Sequence, residues 1–255
     1  MKVTLLGTGT SMGVPMIACD CKVCKSKDPR DKRLRSSVKI EMGNHVIVVD
    51  AGPDFRQQML ASQTKKLDAI LFTHEHKDHT AGLDDVRAFN WINRQAVNLY
   101  GEEPTLNALK NEFSYAFKAM DEKYPGAPEL VLNKIERRPF PLFGEEILPI
   151  RVYHHKMPVL GFRIRNFSYI TDASYIPDES IEKLKGSKVL VINGLRIKNH
   201  ISHFNLEQAL VMIEQINPEK AYITHMSHNI GLHAETSEKL PPNVFLGQDG
   251  LEIDL

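Results

Sequence analysis

The sequence has no apolar run of about eighteen residues or more, and its opening Met1-Lys2-Val3-Thr4-Leu5-Leu6 lacks the apolar core of a secretory signal. A membrane-spanning helix is excluded on that basis, no membrane partner is expected, and the expected location is cytoplasmic. Charge of one sign is also lacking. Lys plus Arg and Asp plus Glu both number 32, so the net charge is zero, which argues against a protein built to grip long nucleic acid through a basic surface. Cysteine is scarce, at three residues, and an odd number cannot form a closed set of disulfides. Low-complexity linkers and sequence repeats are missing, and 42% hydrophobic with 25% charged residues is the composition of a soluble globular enzyme. Residues 1–255 read as one domain, long enough to bury a full core without a covalent staple.

The scarce cysteines are crowded into Cys19-Asp20-Cys21-Lys22-Val23-Cys24, and the chain carries 11 histidines, most of them in short clusters. In a reducing compartment such crowding points to metal rather than disulfide chemistry.

The opening strand Val3 to Leu6 runs into Gly7 to Pro15, a glycine-bearing loop. It lacks the Lys-Ser/Thr pair and the glycine spacing of nucleotide loops, so it reads as a tight loop beside a site. Ser37 to Met42 and His45 to Val49 read as a hairpin ending in Asp50-Ala51-Gly52, and Pro53 to Ser62 as a helix. Ala69-Ile70-Leu71-Phe72 is an apolar run suited to a buried strand. Residues from about 82 to 125 read as mainly helical, with Phe113, Phe117 and Met120 as a core stripe, up to the break at Tyr124 to Pro128. Later strands are expected at Ile147 to Val152, Gly161 to Ile164, Phe167 to Thr171, Val189 to Ile192 and Ala221 to Thr224. Helices are expected at Asp178 to Lys185 and Leu206 to Ile216. Strands grouped ahead of helices in each half predict an α/β fold of two stacked sheets covered by helices, in four layers.

After the apolar strand comes Thr73-His74-Glu75-His76-Lys77-Asp78-His79, three histidines and an aspartate within six positions. In an extended segment His74 and His76 project to one side and can chelate one ion, while Asp78 and His79, entering the next turn, can face a second. Two ions need further ligands, and the chain offers candidates at later strand ends: His154-His155, Asp172 and His225. Taken singly, each has a plainer reading as a surface histidine or a helix cap.

Through Asp50-Ala51-Gly52, His74-x-His76-x-Asp78-His79, Ile170-Thr171-Asp172 and Thr224-His225, the chain resembles the metallo-β-lactamase fold hydrolases along essentially its whole length. The opening loop, the cysteine cluster and Ser202-His203-Phe204-Asn205 look most like the phosphodiesterase branch that includes phosphoribosyl cyclic phosphodiesterase and is related to ribonuclease Z. The resemblance implies a four-layer αββα sandwich. It implies that His74, His76 and His154, or in its place His155, hold one ion, that Asp78, His79 and His225 hold the other, and that Asp172 bridges them. Asp50 would orient a ligand. It also implies that Cys19, Cys21, Cys24 and His228 hold a structural zinc.

Two zinc or manganese ions would lower the pKa of a shared water and stabilise charge at phosphorus, so the expected activity is hydrolysis of a small phosphodiester, such as a cyclic ribose phosphate. Asp78 is then a catalytic as well as a ligating residue, and His203, with His200 competing, is the expected proton donor or phosphoryl-oxygen partner. A glyoxalase II-like thioesterase uses the same kind of site. An RNA-processing nuclease is disfavoured by the neutral charge and the lack of a basic arm, so nucleic acid is not the favoured partner. A flavo-diiron protein would usually have Glu at position 76, and a non-catalytic binding relative should have lost ligands. A homodimer remains open.

Overall fold

The computed structural model describes residues 1–119 and 121–255 and places them in two seven-stranded sheets. The first contains β1 (Lys2–Gly7), β2 (Ser37–Met42), β3 (His45–Val49), β4 (Ala69–Leu71), β5 (Val97–Gly101) and β6 (Leu130–Lys134). The second contains β7 (Phe140–Leu142), β8 (Glu145–His154), β9 (Met157–Ile164), β10 (Phe167–Ile170), β11 (Val189–Asn193), β12 (Lys220–Thr224) and β13 (Val244–Leu246). The last strand, β14 (Glu252–Asp254), returns to pair with β1 at the edge of the first sheet. Each sheet changes halfway from antiparallel to parallel pairing, at β3–β4 in the first and at β10–β11 in the second. The two halves thus share a topology that no sequence repeat announces.

Among the described residues seven short α-helices join the strands: α1 (Phe55–Ala61), α2 (Lys77–Thr80), α3 (Arg87–Asn93), α4 (Glu103–Glu112), α5 (Asp178–Leu184), α6 (Leu206–Ile216) and α7 (His233–Ser237). Alternation along the strands sorts the apolar side chains into three layers of contact. Val3, Leu5, Ile40 and Ile47 face Phe162, Ile164, Tyr169 and Val191 between the sheets. Val48, Ile70 and Phe72 face outward against Phe55, Phe89 and Leu106 of the first helical layer. Ile170, Leu190 and Ile192 do the same against Leu206 and Ile213 on the other side. This is the four-layer αββα sandwich expected from the sequence. No helix among the described residues is long and apolar enough to cross a membrane.

The segment from 82 to 125 departs from the helical expectation, because β5 lies inside it. Val97 and Leu99 are buried while Asn98 and Tyr100 are only partly so, a period of two too brief to stand out between helices. Edge strands β6, β7, β13 and β14 were likewise not anticipated. Phe113 is buried and Phe117 packs beside it, as a core stripe requires, while Met120 lies outside the described residues.

Candidate metal centre

Parallel strands deliver the histidines and aspartates to one end of the sandwich. Asp50 follows β3, Thr73 to His79 follow β4, Asp172 follows β10 and His225 follows β12, each at a carboxyl end. Asp50, Asp172 and His225 all adopt left-handed backbone geometry, with φ of 64°, 56° and 54°. Non-glycine residues seldom do so, and such strain gathers where side chains must be aimed. Gly52 lets the loop after β3 close on α2, since a Cβ there would sit 2.0 Å from the Asp78 carbonyl oxygen.

Ligand-type atoms of Asp78, His79, Asp172 and His225 lie within 4.8 Å of one another. His79 Nε2 is 3.2 Å from Asp78 Oδ2 and 3.2 Å from Asp172 Oδ2, while His225 Nε2 is 3.3 Å from Asp172 Oδ1. A second group, also within 4.8 Å, combines His154, Asp172 and His203. Asp172 is common to both. The rings of His74 and His76 stand 4.6 Å apart, and that of His76 is 5.2 Å from His154. His203 sits between the groups, 4.5 Å from the His154 ring and 4.9 Å from that of His225. All seven predicted active-site ligands therefore converge. Of the His154-His155 pair, it is His154 that faces the cluster; His155 is exposed and turns away at φ 56°.

The hydrogen bonds decide which nitrogen each imidazole presents. His79 Nδ1 donates to Asp50 Oδ2 at 2.7 Å. Thr73 Oγ1 donates to Asp50 Oδ2 and so accepts from His74 Nδ1, each at 2.9 Å. His154 Nδ1 donates to the Ser202 carbonyl at 2.7 Å. In the neutral form of each ring it is Nε2 that carries the lone pair. His74 Nε2 is buried with no hydrogen-bond partner among the described residues, an arrangement that costs free energy unless something else binds there. The donor set, imidazoles with carboxylates, suits divalent zinc or manganese, so the residues fit the ions.

Electrostatics agree with a site built for cations. Burial pushes His74 and His225 below the ordinary imidazole range and His203 down to about 3. Burial opposes charge on His79 as well, but Asp172, Asp50 and Asp78 outweigh it and hold that imidazole well above its usual range. Against the pull of burial, His225 and His79 keep Asp172 ionised.

Sequence reasoning gave no role to Thr73 or Ser202, whose oxygens fix His74 and His154, although both stand within the motifs it picked out. Thr10 of the glycine loop reaches His225 Nε2 at 3.3 Å, which puts that loop beside the site as expected. His200 lies farther out, its ring 5.1 Å from that of His203.

The cysteines form a separate cluster. Cys19, Cys21 and Cys24 Sγ lie 3.2, 3.5 and 3.4 Å from His228 Nδ1. A tetrahedral zinc with Zn–S near ~2.3 Å and Zn–N near ~2.0 Å has S···N edges of about 3.5 Å, so four donors already stand at coordination spacing. Backbone N–H groups of Cys24 and Met16 point at Cys21 Sγ and Cys24 Sγ, at 3.4 Å each, and favour thiolate charge. His228 is three residues beyond His225, which ties this cluster to the other.

Residues 45–226 match the Beta-lactamase superfamily domain. A solved structure described as a new diphosphatase from the PhnP family superposes with a TM-score of 0.93 at 39% identity, covering 100% of this chain and 97% of that one. Zinc-bound PqqB from Methylobacterium extorquens shares the fold at a TM-score of 0.81 and 18% identity, with both chains fully covered. An octanoyltransferase of Porphyromonas gingivalis is 42% identical over 99% of this chain but 51% of its own length, so the chain spans about half of that relative.

Proposed function

We propose the following for a chain that belongs to the beta-lactamase superfamily: it is a metal-dependent hydrolase that cleaves a small phosphodiester, with cyclic ribose phosphates and diphosphates as the substrate classes to try first. One observation carries this reading, namely Asp172, which is common to two donor groups: its Oδ2 lies 3.2 Å from His79 Nε2 and its Oδ1 3.3 Å from His225 Nε2 in one, while His154 and His203 stand within 4.8 Å of it in the other. The diphosphatase likeness at 39% identity supports attack at phosphorus.

His74, His76 and His154 would hold one ion, Asp78, His79 and His225 the other, with Asp172 between them and Cys19, Cys21, Cys24 and His228 on a structural zinc. Bound there, two zinc or manganese ions would bring a shared water near neutral pKa and offset charge growing on the phosphoryl oxygens. Asp78 adds a carboxylate that can orient that water. Asp50 and Thr73 keep His79 and His74 in the tautomer that leaves Nε2 free. His203, held neutral by its burial, offers a ring N–H to a phosphoryl oxygen rather than a spare proton to the leaving group.

Thioester hydrolysis is the second reading, favoured by the name of the 42% identical octanoyltransferase. That name describes a protein about twice as long, and the same paired cations would serve attack at a carbonyl. The deciding experiment assays metal-loaded protein against an aryl phosphodiester, a cyclic ribose phosphate, a diphosphate and an octanoyl thioester. Asp172→Ala should lower turnover of the preferred substrate by at least about 10²-fold, in line with the loss of a group that orders a metal site. Unchanged diesterase activity in that variant would remove the bridge from the mechanism.

A further inference from the structure

Oxygens of Asp50, Thr73 and Ser202 orient three of the clustered imidazoles, and His225 has a counterpart in Thr171. Thr171 follows β10 and is wholly buried, and among the described residues its hydroxyl meets two side chains and no backbone group. It donates to Asp172 Oδ2 at 2.6 Å and lies 3.5 Å from His225 Nδ1. A hydroxyl has one proton to give, so with that proton on the carboxylate it accepts from the His225 Nδ1–H. The His225 lone pair is then on Nε2, which is 3.3 Å from Asp172 Oδ1 and 3.3 Å from Thr10 Oγ1. A ring nitrogen and a carboxylate oxygen, both electron-rich, thus face each other across a gap that only a proton or a cation makes favourable.

The main chain beyond Asp172 is held separately. Asn193 of β11 accepts the Ala173 N–H at 2.8 Å and donates to the Ala173 carbonyl at 2.9 Å. The turn of the Asp172 side chain is left to what its oxygens meet. Oδ2 is 3.2 Å from His79 Nε2, and Oδ1 stands 3.7 Å from His203 Nδ1 as well as facing His225. Of these contacts, the Thr171 hydroxyl alone comes from a group assigned neither to an ion nor to the substrate. Its β-branched side chain has few rotamers open to it, which keeps the hydroxyl in place. Thr73 is the parallel in the first half of the chain, where one hydroxyl joins Asp50 to His74.

We propose that Thr171 is a positioning residue for one ion of the pair: its single hydroxyl holds Asp172 and His225 in the orientation that the cation shared with Asp78 and His79 requires. The ion of His74, His76 and His154 depends on it less, because no ring of that set meets the hydroxyl. This inference rests on the paired-cation reading above and adds to it a residue that touches neither ion.

Competition between a chelator and the zinc-loaded protein tests it. In Thr171→Val, which keeps the branched shape without the hydroxyl, one active-site ion should bind about 10- to 100-fold more weakly, while the other and the cysteine-bound zinc follow the parent. Thr171→Ser, which retains the hydroxyl, should follow the parent throughout. The loss in Thr171→Val should persist when His76→Ala has already weakened the other ion. The rise in Tm on adding zinc should be smaller in Thr171→Val than in Thr171→Ser, because a ligand stabilises the fold according to its affinity. Should Thr171→Val fail to fold, Thr171→Ala, smaller and also without the hydroxyl, takes its place in each comparison. Zinc affinity equal to the parent's in the variant lacking the hydroxyl, or a Thr171→Ser variant as weak as that one, overturns the proposal. So does a loss that vanishes in the His76→Ala background, or a drop in Tm of the same size with and without zinc, the mark of a purely structural hydroxyl. If the parent holds fewer than two ions besides the cysteine-bound zinc, the paired-cation reading falls and this inference with it.

Discussion

Asp50 Oδ2 lies 2.7 Å from His79 Nδ1, with both side chains wholly buried, and the same carboxylate accepts the Thr73 N–H and hydroxyl. One residue that touches no proposed ion thereby sets the tautomer of His79 directly and of His74 through a hydroxyl. Asp50→Asn removes the negative charge and turns an N–H toward groups that already donate. Metal affinity should fall about 10- to 100-fold, and activity with it. Competition with a chelator measures the first, and unchanged affinity would show that the rings need no such anchor.

His203→Ala should cost about 10²–10³ in kcat, the effect of removing one hydrogen-bond donor to developing oxyanion charge. The loss should be equal for an aryl diester, whose leaving group needs no proton, and an alkyl diester, whose leaving group does. His203→Gln, which keeps an N–H, should recover part of the rate. A loss confined to the alkyl substrate would instead make His203 the general acid.

Removing one thiolate from the cysteine cluster should remove one ion. Metal analysis of Cys21→Ala is expected to show one zinc fewer per chain, with a lower Tm, because zinc held by residues far apart in sequence contributes its binding energy to folding. Since His228 lies three residues from His225, some diesterase activity should go as well. Full metal content in the variant would mean that the thiols hold none.

Ligands that announce themselves in sequence are those crowded into one segment, as His74, His76, Asp78 and His79 are. Asp172 and His225 stand alone after strands, and only the shared end of two sheets brings them within reach of that segment. The central strands β4 and β11 were legible because they are buried on both faces and read as continuous apolar runs. Edge strands β6 and β14 were not, since half-exposed positions dilute their pattern. Nor could sequence show Thr73 and Ser202 fixing ring tautomers, because that depends on side-chain and carbonyl direction at turns.

Asp249 provides a stability test away from the metal ligands. Its carboxyl, half-buried between β1 and the loop at Leu34, accepts Thr8 Oγ1–H at 2.7 Å and the Leu34 N–H at 2.6 Å, yet desolvation pushes its pKa up to about 6. In the unfolded chain an aspartate titrates near 3.8. Between those values the folded protein retains a proton that the unfolded one has released, so the contribution of this group to stability falls as pH rises from about 4 through 6 and then levels off. At about 1.4 kcal/mol per unit the loss is at most about 3 kcal/mol. Asp249→Asn keeps a neutral group of the same shape, able to accept from Leu34 N–H and donate to Thr8. The variant should therefore match the parent near pH 4 and exceed it at pH 7. Urea denaturation at both values is the measurement, and a variant less stable than the parent at pH 7 would show that the ionised carboxylate is stabilised where it lies.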